Sequence, residues 1–292
     1  MEKTYEKISP TAKLVAYLRT FTDIPYTKEI AVASGAEKTF QGLAGESAES
    51  MVRFASIWEA RYKVTDRILA EHGITQVLEV AAGLSPRGLA MTMNPDVVYV
   101  VTDLPQVLKL EKTIAETILA KSNSHRPNLH FQAANALDMK SLSTAASAFK
   151  RGKPIAIVIE GLLTYLNRRE KEIIAGNVHE LLEKYGGLWV ATDVNTKQQL
   201  QQTRHFLDEK VEKRLSTLNS STGSDILNNL FSDEKDIELF FGKAGFKIEQ
   251  YSHLKVLEDL SSIKMLNLNQ EEKLKIRQAL QTLRTFILTC RP

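Results

Sequence analysis

The sequence predicts an α/β fold in which a doubly wound, seven-stranded, mostly parallel sheet carries helices on both faces. Short β-branched strands alternate with helical segments from about residue 73, and the strands are nearly continuous apolar runs. Such strands are buried on both faces, as in a parallel sheet covered by its crossover helices. The first five predicted strands are Gln76–Val80, Val97–Val101, Leu129–Phe131, Ile155–Ile159 and Leu188–Ala191.

Two closing strands bring the predicted total to seven. A polar, helix-prone stretch at about 195–232 interrupts the alternation, and we interpret it as a lid insertion after the fifth strand. The segments that follow are a helix at Ser232–Ala244, a strand at Phe246–Tyr251, a helix at Gln270–Leu280 and a strand at Thr285–Cys290.

Residues 1–72 are expected to form an N-terminal helical cap on a core that comprises residues 73–292. Ser9 followed by Pro10 is typical of a helix start, since proline suits the first helical position. A second helix is predicted from Met51 to His72. It ends before Gly73, because glycine readily adopts the positive φ of a helix C-terminus.

Composition limits the classes of function. The 292 residues include 38 Lys and Arg against 35 Asp and Glu, a net charge of +3 without a basic block, which argues against a nucleic-acid binder. With a single cysteine, Cys290, no recognisable secretion signal and no apolar run of membrane-spanning length, we expect a cytoplasmic protein without a membrane partner. The six histidines show no ligand spacing, so no metal is expected.

The turn after the first strand is the first candidate site. It reads Ala81-Ala82-Gly83-Leu84-Ser85-Pro86-Arg87-Gly88, and its small residues would let a ligand approach the backbone. In open α/β sheets a ligand binds beyond the carboxyl ends of the strands, where the strand order reverses. The alternative is that these small residues serve only the tight packing of the turn.

Asp103 directly follows the second apolar strand, twenty residues after Gly83. At this interval an acidic residue binds ribose hydroxyls in dinucleotide folds. The alternative is an N-cap for the helix that starts near Pro105.

The glycine pattern distinguishes two cofactors. The turn Gly-Leu-Ser-Pro-Arg-Gly lacks the middle glycine of the diphosphate-binding pattern, which favours S-adenosylmethionine over a nicotinamide dinucleotide. A nicotinamide-dependent oxidoreductase and a catalytically silent S-adenosylmethionine-binding protein remain the alternatives.

Glu160 follows the apolar fourth strand, so its carboxylate should lie at the same edge of the sheet. There it could hold an ammonium group or influence the field at a sulfonium. Capping of the next helix is the structural alternative, although Asn167 is better placed for that role.

These motifs together resemble the leucine carboxyl methyltransferase family. The segments that carry the resemblance are Asp23-Ile24-Pro25-Tyr26, Arg61-Tyr62-Lys63-Val64-Thr65-Asp66, the strand with Gly83, Asp103, and Glu160-Gly161-Leu162-Leu163-Thr164-Tyr165-Leu166. The resemblance implies a class I methyltransferase with a Rossmann-like core, which uses S-adenosylmethionine and releases S-adenosylhomocysteine.

The resemblance also implies the roles of individual residues. Arg61 would meet the carboxylate of the donor, Gly83 its methionine part, Asp103 its ribose, Asn135 and Ala136 its adenine, and Glu160 its amino-acid end. Family members have an aspartate where this chain has Asn135. The candidate cofactor contacts also include Glu79 and Leu104.

The predicted reaction is methylation of a carboxyl or hydroxyl oxygen on a small molecule. Since the sulfonium is already an activated leaving group, the protein mainly aligns the reacting atoms. A carboxylate acceptor needs no base, whereas a hydroxyl does. The candidate catalytic residues are Glu160 and Tyr165, with Arg204 and His205 as a possible polarising pair in the insertion.

Overall fold

The structure, a computed structural model, describes residues 10–205 and 226–291, and for residues 203–205 the backbone alone. Its sheet has the strand order β3-β2-β1-β4-β5-β7-β6. Strands β1 to β5 pair in parallel, and β7 runs antiparallel to both β5 and β6. The predicted doubly wound, mostly parallel sheet is confirmed. The strands are β1 Gln76–Val80, β2 Val98–Asp103, β3 Leu129–Ala133, β4 Ile155–Ile159, β5 Gly187–Ala191, β6 Phe246–Ser252 and β7 Arg284–Cys290.

The helices precede the sheet, connect its strands and cover both of its faces. Short 3-10 turns lie between some of them, of which Arg19–Phe21 and Leu163–Tyr165 matter for the site. The α-helices in the described residues are α1 Pro10–Leu18, α2 Thr27–Ser34, α3 Ala36–Ala44, α4 Ala48–Arg53, α5 Ala55–Glu71, α6 Arg87–Met91, α7 Pro105–Lys121, α8 Met139–Ala145, α9 Arg168–Tyr185, α10 Lys197–His205, α11 Ile226–Asn229, α12 Glu234–Lys243, α13 Ser262–Met265 and α14 Gln270–Thr282.

The strand and helix boundaries differ from the prediction in two informative places. Strand β2 continues to Asp103, whose backbone pairs with Ala133 of β3, because polar residues at a strand end still form ladder hydrogen bonds. The single helix predicted from Met51 to His72 is wrong. Two helices, α4 and α5, occupy this stretch and are separated at Phe54, whose φ of −94° and ψ of 9° depart from helical values.

Alternate residues of the strands build two apolar layers. On one face, residues such as Leu78 and Ile157 pack against Val178 of α9, and on the other Val77 packs with Val64 of α5. This alternation follows from the two-residue period of a strand. The central strands β1 and β4 are buried along their whole length.

The N-terminal helices pack on the core through two apolar clusters. Phe40 of α3 is buried in one, and Ile30 of α2 packs with Leu84 and Ile114 in the other. Helix α5 also packs on the sheet, so it contacts both the N-terminal helices and the core. The boundary between a cap and a core at residues 72 and 73 stays a prediction.

Most of the insertion predicted at 195–232 lies outside the described residues. At its two ends Thr196 and Phe231 form an isolated parallel bridge. None of the described helices is long and apolar enough to cross a membrane.

Candidate functional site

Three of the predicted site residues converge at the carboxyl edge of the central strands. Strand β1 lies between β2 and β4, so the strand order reverses at this point. Gly83 follows β1, Asp103 ends β2 and Glu160 follows β4. The topology therefore gathers Gly83, Asp103 and Glu160 where ligands of open α/β sheets bind.

Asp103 holds the glycine turn in place. Its Oδ2 accepts the backbone N–H of Gly83 at 3.0 Å, and its Oδ1 accepts that of Leu104 at 2.7 Å. Ala81 and Gly83 both have positive φ, 56° and 60°, a conformation that is strained for alanine. The hydrogen bonds of Asp103 help to hold the turn in this conformation. The N-cap residue of α7 is Leu104, without a side-chain cap, so the alternative interpretation of Asp103 as that N-cap is wrong.

Glu160 lies among three arginines. Arg19 binds its Oε1, Arg61 donates from Nε to Oε1 at 3.1 Å, and Arg87 donates from Nη2 to Oε2 at 3.2 Å. Burial alone would raise the pKa of Glu160, but the positive charges of Arg61, Arg19 and Arg87 outweigh it and hold the pKa well below its ordinary value. Glu160 is therefore a stable carboxylate.

Arg87 is a buried charged residue at this edge of the sheet that the sequence analysis did not single out as a candidate. Its side chain is fully buried and donates from Nε to Asp66 at 2.8 Å and from Nη1 to Glu79 at 3.0 Å, besides its contact with Glu160. The guanidinium also lies 4.3 Å from the centre of the Tyr62 ring. Burial lowers the pKa of Arg87, but the three carboxylates more than offset this, and the net shift is upward.

Glu79 faces this cluster from inside the sheet. Its Oε1 accepts from Arg87, and its Oε2 accepts the hydroxyl of Tyr99 at 2.7 Å. The residue is only 2% exposed. Because both oxygens are engaged within the protein, we propose that Glu79 positions Arg87 and acts on a ligand only through it.

Arg61 presents the accessible edge of the cluster. Its side chain is 23% exposed, against 6% for Arg19 and 0% for Arg87. Only its Nε binds Glu160, and within residues 10–205 and 226–291 its two Nη nitrogens have no hydrogen-bond partner. A planar guanidinium with a free edge suits the bidentate binding of a carboxylate.

The remaining predicted residues lie around this centre. The hydroxyls of Tyr165 and Thr11 of α1 lie 3.1 Å apart, which ties the cap to the loop after β4. Asn135 is exposed and its Oδ1 accepts the N–H of Leu137 at 2.9 Å. The carbonyl of Ala136 accepts from Asn177 of α9 at 2.9 Å. The side chains of Arg204 and His205 lie outside what the structure describes.

Asp193 is a second residue that the sequence reasoning missed. It follows β5, is 5% exposed, and its Oδ2 accepts the N–H of Thr164 at 3.1 Å. Its Oδ1 is buried and has no hydrogen-bond partner in the described part of the chain. An acidic residue directly after an apolar strand was the signal that identified Asp103 and Glu160, and it applies to Asp193 as well.

The family of the chain follows from its similarity to known proteins. The sequence profile of the leucine carboxyl methyltransferase family matches residues 14–179, more than half of the chain. No curated protein matches the chain.

Two solved structures share the fold at low sequence identity. A candidate methyltransferase from Thermobifida fusca YX is 16% identical, with a TM-score of 0.50 over 99% of this chain and 96% of that one. A DUF574 family protein from Streptomyces avermitilis MA-4680 is also 16% identical, with a TM-score of 0.57 over 97% of each chain. The chain belongs to the leucine carboxyl methyltransferase family, and it is an S-adenosylmethionine-dependent methyltransferase.

Proposed function

We propose that the protein methylates an oxygen atom of a small molecule and that the acceptor group is a carboxylate. The state of Glu160 carries this proposal, because three arginines occupy both of its oxygens and keep it ionised. A carboxylate bound in this way is a poor general base. A carboxylate acceptor is already nucleophilic and needs no base, so it matches a site that supplies charge and alignment.

The residues at the edge of the sheet fit S-adenosylmethionine. Arg61 has two free Nη nitrogens for the donor carboxylate, among the described residues. Each carboxylate oxygen of Asp103 accepts one backbone N–H, which leaves lone pairs for ribose hydroxyls. Gly83 has no side chain at the turn that the methionine part would approach. We place the adenine beside Asn135 and Ala136, with Leu104 next to Asp103.

The bound donor supplies a methyl group on a positively charged sulfur, and the protein's task is to align the acceptor with it. We propose that Glu160 and Arg87 orient Arg61 for this purpose. Tyr165, held by Thr11 of the cap, would orient the acceptor. Arg19 also reaches Glu160 from the cap, so the acceptor has to fit beneath the cap, which favours a small molecule.

Replacing Asp103 should weaken donor binding. In the wild type each oxygen of Asp103 accepts one backbone N–H. In Asp103→Asn an NH₂ group replaces one of these oxygens and faces a backbone N–H, and the ribose loses a charged acceptor. We expect binding to weaken by about 1.5–3 kcal/mol, the scale of a hydrogen bond to a charged group. Titration calorimetry with S-adenosylhomocysteine measures this. The exposed Asp96→Asn is the matched control, and equal affinities in both variants would remove Asp103 from the donor site.

The acceptor group can be identified from the stability of its product. We expect S-adenosylhomocysteine to form when the enzyme is supplied with carboxylic acids, and not with the corresponding alcohols or phenols. A methyl ester releases methanol in mild alkali, whereas a methyl ether or methylamine is stable. Product methylated from labelled donor should therefore lose its label in alkali, and an alkali-stable product would refute carboxyl methylation.

A hydroxyl group is the second candidate for the methyl acceptor, and Asp193 is the residue that favours it. Burial raises the pKa of Asp193, partly offset by the N–H of Thr164 and the charge of Arg61, and one of its oxygens is unpaired among the described residues. Such a carboxylate can accept a proton from a hydroxyl. With this acceptor the product would be alkali-stable, and Asp193→Asn would abolish the rise of the rate with pH.

A further inference from the structure

Helix α9 carries a buried lysine near the carboxyl edge of the sheet. Lys171 is only 3% exposed. Its amino group donates to two backbone carbonyls, and in the described part of the chain it forms no ion pair with a carboxylate. Lysine is almost never fully buried unless it is paired, so the contacts of this amino group indicate what it does.

The two carbonyls belong to segments that are far apart in the chain. One is the carbonyl of Leu166, at 2.8 Å from Nζ, which ends the loop after β4, residues 160–166. The other is the carbonyl of Asn229 in the base of the insertion, by which we mean residues 195–197 and 229–231. Nζ also lies 5.3 Å from the centre of the Phe231 ring in that base. One amino group therefore joins the two segments.

The base of the insertion is held together by its own hydrogen bonds. The N–H of Phe231 donates to the carbonyl of Asn195 at 3.2 Å, and the carbonyl of Phe231 accepts the N–H of Lys197 at 3.1 Å. Arg168 of α9 lies 5.4 Å from the centre of the Phe231 ring. A displacement of Phe231 would therefore disturb both parts of the base.

The loop after β4 lies on the acceptor side of the proposed site. Thr164 donates its N–H to Oδ2 of Asp193 at 3.1 Å, and the hydroxyl of Tyr165 contacts the cap. Both residues belong to the 3-10 turn Leu163–Tyr165, and Leu166 follows directly. The amino group of Lys171 therefore acts on the end of the short turn that carries Tyr165.

We propose that Lys171 is a positioning residue for methyl transfer: its amino group fastens the loop that carries Tyr165 to the base of the insertion, so that the two segments loosen together. Substitution of Lys171 should affect both segments and leave the donor contacts at the ends of β1 and β2 unchanged. The link to the acceptor rests on the proposed function. The joint between the two segments does not, so an experiment without an acceptor can test it and the two can fail separately.

Amide hydrogen exchange followed by NMR tests the joint at two reporters, the N–H of Thr164 in the loop and the N–H of Phe231 in the base. In Lys171→Met, which keeps an unbranched side chain and removes the donors, we expect both groups to exchange at least about tenfold faster than in the wild type, the fold-change for one lost hydrogen bond to a charged group. Lys184→Met is the matched control, because it removes the same charge from an exposed position of α9. Equal affinities for S-adenosylhomocysteine would show that all three proteins are folded.

The pH dependence of this exchange distinguishes the amino group from simple packing. Burial lowers the pKa of Lys171 to about 8, below its ordinary value of 10.5. The charged groups that act on it are Asp193 after β5, Arg168 and Glu170 on α9 and Asp236 on α12. When the joint opens, the amino group meets water and regains its ordinary pKa, so above pH 8 the open form binds the proton more strongly and a rise in pH favours the closed form. After correction for the intrinsic exchange rate, protection of both reporters in the wild type should increase about fourfold from pH 6.5 to 8.5, and in Lys171→Met it should stay constant.

Three results would overturn the proposal. They are faster exchange at only one reporter or at neither in Lys171→Met, an equal acceleration in Lys184→Met, and protection in the wild type that does not rise with pH. The last measurement needs no variant, so it decides the matter even if Lys171→Met does not fold.

Discussion

Replacing Arg87 with methionine should lower the free energy of unfolding by about 3–5 kcal/mol, the cost of removing one partner from a buried ion pair. Three carboxylates, those of Asp66, Glu79 and Glu160, depend on its guanidinium, and its side chain is fully buried. Methionine fills much of the volume but leaves these charges without their shared cation. Urea unfolding followed by circular dichroism measures the change.

Arg67→Met on α5 is the matched control for this variant. Arg67 pairs with Asp259, and both side chains are substantially exposed, at 37% and 50%. An exposed pair of this kind contributes about 0–1 kcal/mol, so the control should remain near wild-type stability. If Arg87→Met lost no more stability than the control, the charge cluster would not organise the fold at this edge of the sheet.

Replacing Arg61 with methionine should weaken donor binding with little loss of stability. The donor carboxylate would lose a charged bidentate partner, which corresponds to about 1.5–3 kcal/mol of binding free energy, or roughly 10- to 100-fold in Kd. Glu160 would still be held by Arg19 and Arg87. Calorimetric titration with S-adenosylmethionine measures Kd, and urea unfolding measures stability on the same samples.

The control Arg67→Met lies on the same helix and removes the same charge from the chain. Its affinity for S-adenosylmethionine should equal that of the wild type. Arg61→Lys should fall between the wild type and Arg61→Met, because an ammonium keeps the charge and loses the planar pair of donors. A Kd for Arg61→Met within about twofold of the control, about 0.4 kcal/mol, would contradict the proposed role of Arg61.

The sheet could be predicted because its strands carry a strong local signal. The five apolar residues of β4, Ile155–Ile159, match the prediction to the residue. The end of β2 was missed, since Thr102 and Asp103 are polar and their strand pairing depends on the neighbouring β3. The break at Phe54 was missed for a related reason, because the apolar pattern continues through it while the backbone changes direction.

A residue of the candidate site could be predicted from the sequence only where its position at the end of a strand was enough to place it there. Asp103 ends β2 and Glu160 directly follows β4, so the topology alone places them at the carboxyl edge. Arg87 begins α6 directly after the turn, and no local sequence pattern marks it as buried. Its burial depends on Asp66, Glu79 and Glu160, which come from three separate segments. Glu111 of α7 is buried, and its carboxylate has no hydrogen-bond partner among the described residues. This burial follows from the packing of α7 against the cap, which no local pattern records.

We propose that the turn after β1 binds S-adenosylmethionine and not a dinucleotide. Parallel calorimetric titrations of the wild-type protein with S-adenosylmethionine and with NADH test it most directly. We predict binding of S-adenosylmethionine with a Kd on the order of micromolar, about 8 kcal/mol, and no heat with NADH. Binding of NADH without binding of S-adenosylmethionine would show that the turn after β1 is not a donor site.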